Sequence, residues 1–144
     1  MAYHEGSGIQ FAPPEGWEVE ETEDGSRTTY TIQSPDGIAF ALITVDEGNS
    51  DPKDLVAEAL EAIRGEYPNL ECVPAVDTLM GRPASGFDIA FITLDMTNAG
   101  LLRGVRTGQR TLFLLGQWSE IDVEDDPEAQ IDDLFRSIEE TEGN

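Results

Sequence analysis

At 144 residues and 39% hydrophobic, the chain has the length to form one domain over residues 1–144, burying about two thirds of its unfolded surface without covalent or metal staples. Thirty acidic residues against eight basic ones give a formal charge of −22, which disfavours nucleic acid phosphates and anionic membranes as partners. A single cysteine, Cys72, excludes an internal disulfide, and no apolar run approaches the roughly 20 residues of a spanning helix.

Residues 1–6 carry neither a basic segment nor an apolar run, so no signal peptide is expected and a cytoplasmic location is. Residues 8–11 read as a short strand that runs into Ala12-Pro13-Pro14-Glu15-Gly16-Trp17, a rigid corner that delivers Trp17. The runs 17–22 and 27–33 flank Asp24-Gly25, a hairpin signal because glycine tolerates positive φ. The first arm carries Glu18, Glu20, Glu21 and Glu23, which suits an edge strand that must not pair with other chains. Residues 38–45 are apolar on both faces and belong inside a sheet.

A helix is expected over residues 51–67, with Asp51 as N-cap and Pro52 in the first turn. Leu55, Val56, Ala59, Leu60, Ile63 and Tyr67 fall on one side of it. Residues 71–76 and 84–94 come next as strands, the second with Phe87, Ile89 and Phe91 on one face at period two. Residues 95–100 read as a loop, and 101–107 with 110–118 as a second hairpin around Gly108-Gln109. The stretch 111–118 hardly alternates in polarity, so it is expected at the centre of the sheet with a helix over each face. A closing helix over 126–138, capped by Asp126, carries an Ile131, Leu134, Phe135 and Ile138 stripe, and residues 139–144 are expected to fray.

This order of elements is that of an α+β domain with a largely antiparallel central sheet and helices packed on it. The motif Phe11-x-x-Pro14-x-Gly16-Trp17 resembles the opening of PsbP-like domains. The succession of elements after it is similar too: strands, a helix introduced by Asp51-Pro52, the turn Gly81-Arg82-Pro83-Ala84, a long hairpin and a final helix with Ser137. That superfamily shares its fold with the Ran-binding Mog protein of nuclear import. The resemblance implies an α/β/α sandwich and a non-catalytic accessory role.

The residues alone carry little catalytic chemistry. His4 is the only histidine and sits on a glycine-rich terminus expected to be mobile, far in sequence from Cys72. One His and one Cys cannot supply a four-ligand zinc site, and residues 122–128 lack the glycine and terminal Glu spacing of a calcium loop. No phosphate-binding, dinucleotide-binding or nucleophile-elbow motif occurs, so no metal and no cofactor is expected. Arginine is rare, yet Arg103, Arg106 and Arg110 lie in one hairpin. They either balance the protein's own acids or form an acceptor site for an acidic partner segment or anion. Period two places Arg103 and Arg106 on opposite faces unless Gly104 makes a bulge. The sequence therefore reads as a small acidic module that binds a protein partner and is not an enzyme. The alternative is a small-molecule-binding protein or hydrolase with a pocket between sheet and helix. The acidic surface, with arginine preferred over lysine, also matches the way a salt-adapted protein stays soluble.

Overall fold

The computed structural model describes residues 3–48, 50–94, 96–120 and 126–141. Among these residues the chain forms β1 (His4–Gly6), β2 (Ile9–Phe11), β3 (Glu18–Asp24), β4 (Arg27–Gln33), β5 (Ala39–Asp46), α1 (Pro52–Glu66), β6 (Glu71–Leu79), β7 (Arg82–Thr93), β8 (Met96–Arg106), β9 (Thr111–Ser119), α2 (Pro127–Arg136) and β10 (Glu139–Glu140). The large sheet has the order β3-β4-β5-β9-β8-β7-β6, with every described pair antiparallel. β9 is the middle strand, as its unbroken apolar run requires.

The two faces of β9 serve two cores. Leu112, Leu114 and Trp118 face α2, where Ile131, Leu134 and Phe135 meet Tyr30, Ile32, Ile43 and Val45. Phe113 and Leu115 face α1, where Leu55, Val56 and Leu60 pack on Ile89, Phe91 and Leu102. Full burial of one such side chain contributes about 1.5–3 kcal/mol, so each helix is held chiefly by its apolar stripe. Two glycines let the helices approach. A Cβ on Gly104 would lie 2.7 Å from the Pro52 carbonyl oxygen, and one on Gly116 would lie 2.7 Å from Ile131 Cγ2.

Both caps form as the sequence requires. Asp51 accepts from the Lys53 N–H at 2.9 Å, and Asp126 accepts from the Ala129 N–H at 3.1 Å. The outermost strand β3 exposes Glu18, Glu20, Glu21, Glu23 and Asp24, a row of charge that discourages pairing with another chain. No described helix is long and apolar enough to cross a membrane.

Three expectations are corrected. Residues 96–100 are strand rather than loop, because β7 pairs Thr93 with Met96 and β8 stays in register from there; residue 95 lies outside the described residues. Buried Asn98 supports this segment by donating to Thr93 Oγ1 at 2.8 Å and accepting from the Ser119 hydroxyl at 2.9 Å. The tail does not fray after Ile138: Glu139 and Glu140 pair with Gln10 and Ile9, and the Thr141 N–H donates to the Gly8 carbonyl. Residues 142–144 lie outside the described residues. His4 is no free end, since β1 pairs with β2 and the imidazole packs 5.2 Å from Phe11 and 5.3 Å from Tyr30.

Candidate functional site

The arginine hairpin is regular. Arg103 pairs with Leu114, Gly104 with Phe113 and Arg106 with Thr111, so no bulge intervenes and the two arginines project to opposite faces. Arg103 is buried on the α2 side, where four of its five donors are occupied. Nε donates to Asp77 and Nη2 to Asp88, both at 2.7 Å, and Nη1 donates to the Phe87 and Leu102 carbonyls. Arg106 is half-buried on the α1 side and donates to Thr111 Oγ1 at 2.8 Å. The Thr111 hydroxyl in turn donates to the Ser50 carbonyl at 2.6 Å. Arg110 lies in the turn, buried against Gly8, and its Nε donates to Glu47 Oε1 at 3.2 Å. The hairpin thus gives each arginine a separate set of partners within the chain.

A concavity of about 1130 Å³ lies elsewhere, between the proline corner and α2. Pro13, Pro14 and Trp17 form one wall; Gln130, Asp133 and Leu134 form the other. The corner is fixed at both ends. The Ala12 N–H donates to Ser137 Oγ at 2.8 Å, and the Ser137 hydroxyl donates to the Leu134 carbonyl at 2.6 Å. The Trp17 N–H closes a turn onto the Pro14 carbonyl at 3.1 Å, with Gly16 at φ 86°. That positive φ is one a glycine adopts without strain. Arg136 at the rim donates from Nε to Asp132 at 2.8 Å and lies 3.9 Å from Asp77. The neighbouring Asp132 carboxylate raises the pKa of this guanidinium above its ordinary value. Sequence reasoning identified the corner and Trp17 but not the groove, because the second wall comes from residues more than a hundred positions away. Ser137, the latch between the walls, was visible only as the end of a helix.

The remaining polar clusters serve the scaffold. Asp46 is 1% exposed; burial pushes its carboxyl up, but the Gly48 N–H, the Ser50 hydroxyl and Arg27 together hold it below the ordinary value of 3.8. His4 Nε2 is buried without a hydrogen bond and lies 3.9 Å from Glu21. Cys72 stands on edge strand β6 with Arg64 Nη2 at 3.1 Å from its sulfur, whereas His4 belongs to the small sheet β1-β2-β10, so the two form no pair. Among the described residues no group of three or more His, Cys, Asp or Glu could hold a metal ion. Of the acidic stretch 122–128, residues 122–125 lie outside the described residues.

No family model matches this chain, and no curated protein sequence matches it. Solved structures do. The chain is similar to a protein from Bacteroides thetaiotaomicron, with TM-score 0.63 and 12% identity. That likeness covers 94% of this chain but only 46% of the Bacteroides protein, so the chain spans less than half of that neighbour's length. It is also similar to LpqN of Mycobacterium tuberculosis, a protein involved in cell envelope biogenesis, with TM-score 0.51 and 14% identity over 94% of this chain and 86% of LpqN. At these identities the likeness is one of fold: a mostly antiparallel sheet with helices packed on it.

Proposed function

We propose that this chain is a non-catalytic binding module of the α/β/α kind that PsbP-like domains use, with its ligand seat in the groove between the proline corner and α2. The observation that carries this reading is the groove itself: a concavity of about 1130 Å³ with Pro13, Pro14, Trp17 and Leu134 in its walls. Its corner is pinned before any ligand arrives, which lowers the ordering cost of binding. Aromatic and proline surfaces of this sort recognise polypeptide segments by shape and apolar contact. The competing hydrolase reading needs an acid poised to protonate or abstract near neutral pH. Among the described residues, the Asp36 and Asp46 carboxyls move the other way, held down by hydrogen bonds to their charged forms. Arg103 and Arg110 act within the scaffold, each committed to the chain's own carboxylates.

A peptide-display selection on the immobilised protein tests the seat. Wild type should enrich a recurrent sequence, and Trp17→Ala and Gln130→Arg should abolish that enrichment while keeping the circular dichroism spectrum of wild type. Equal enrichment on all three proteins would move the site away from the groove. Turnover of ester, phosphoester or glycoside substrates that survives repurification would replace the module by an enzyme.

A further inference from the structure

We infer that the occupant of the groove is a basic polypeptide segment, one with lysine or arginine flanking an apolar anchor. This rests on the groove being the binding seat and adds the chemistry of what fills it. The charged side chains lining it are Glu15, Asp133 and Arg136. Arg136 is already answered within the chain by Asp132 and Asp77. Glu15 and Asp133 are exposed and make no side-chain hydrogen bond or ion pair with the described residues; Asp133 joins Asp132 and Asp77 in stabilising the Arg136 cation, and the two lining carboxylates outnumber that one arginine. The corner's backbone is one-sided over residues 12–14. Pro13 and Pro14 have no N–H, and the Ala12 N–H is committed to Ser137, so residues 12–14 offer acceptors and no donors. The Pro14 carbonyl already accepts from the Trp17 N–H, which leaves the Glu15 and Asp133 carboxylates as the acceptors for a cationic ligand, and Lys and Arg side chains are donor-only. The Trp17 indole provides the best aromatic face for a cation.

The rest of the chain narrows the occupant. At −22 it repels a second copy of itself and attracts a cationic segment over distance, raising the rate of encounter. Apolar side chains of the segment would rest on Pro13, Pro14 and Leu134 while its cations reach Glu15 and Asp133.

The test is fluorescence anisotropy with a labelled peptide in which lysines flank a central Leu-Pro-Leu, beside its Gln-for-Lys and Glu-for-Lys counterparts, at fixed ionic strength. The lysine peptide should bind tightest, and Glu15→Gln with Asp133→Asn should weaken it about fivefold or more while leaving the Gln peptide unchanged. Glu58→Gln with Glu61→Gln removes the same charge from α1 on the opposite face and should change affinity less than about twofold. Equal weakening by both pairs would mean that the peptide merely coats an acidic surface, and the inference fails. If Gln and Lys peptides bind alike and Trp17→Ala abolishes both, the groove stands as the seat and the basic partner is overturned. Absence of binding by the lysine peptide also overturns it, with the display selection still deciding the seat.

Discussion

Arg103 provides a test of how an acidic fold carries a buried cation. Its side chain is 5% exposed, whereas its partners Asp77 and Asp88 are 34% and 59% exposed. Removing the arginine leaves two carboxylates that water can reach; removing the carboxylates leaves a guanidinium that water cannot reach. Arg103→Met deletes two ion pairs together with the desolvation cost of the cation, and its net penalty is about 1–2 kcal/mol. The double variant Asp77→Asn/Asp88→Asn breaks the same two pairs, and the exposed Arg136–Asp77 contact with them, but keeps the buried charge, at a cost of about 3–5 kcal/mol. For a chain of this length that is roughly 10 °C or more of melting temperature. Adding Arg103→Met to the double variant should restore most of the loss. Urea unfolding of wild type, both variants and the triple variant at constant salt measures all four free energies, and unchanged slopes would confirm a common unfolded state. The reasoning fails if Arg103→Met is as damaging as the double variant, or if the triple variant is no more stable than the double.

Four further outcomes are expected. Gly104→Ala forces its new Cβ towards the Pro52 carbonyl and should cost about 1–3 kcal/mol in urea unfolding, whereas Gly108→Ala, with open space around it, should stay within about 0.5 kcal/mol. Asp46 has a depressed folded-state pKa, so the stability it contributes is present above the ordinary 3.8 and is lost as pH falls through the lower folded value. The difference between wild type and Asp46→Asn should therefore be largest near neutrality and shrink in acid; a gap that widens on acidification would contradict the assignment. Ser137→Ala removes the acceptor of the Ala12 N–H, should cost about 1–2 kcal/mol, and should speed amide exchange at Ala12. Raising sodium chloride to molar levels should raise the melting temperature by screening a charge of −22, and a flat or falling response would dismiss salt adaptation.

The large sheet was legible wherever burial left its mark on side chains. The unbroken apolar run of β9, the Asp24-Gly25 hairpin, the acidic edge β3 and the caps Asp51 and Asp126 each state their position through a local physical rule. Where backbone pairing alone decides, the residues are silent. Met96-Thr97-Asn98 has the polarity of a loop, yet it is strand because β7 delivers it in register and Asn98 finds partners in Thr93 and Ser119. Glu139 and Glu140 look like a solvated tail and instead extend the small sheet. The groove was hidden for a different reason: one wall is at residues 13–17 and the other at residues 130–137, and only the tertiary fold joins them.

The pairing of β2 with β10 joins the two ends of the described chain. During synthesis a chain that has reached Ser119 holds every strand of the large sheet, so this part can assemble early from mostly sequential hairpins. The β2–β10 contact spans about as large a sequence separation as any in the fold, and contacts of that range bear the greatest loop-closure entropy. The corner following β2 and the helix preceding β10 are also tied directly, through the Ala12 N–H and Ser137. The groove's second wall comes from α2, so a chain stopped before α2 would lack it.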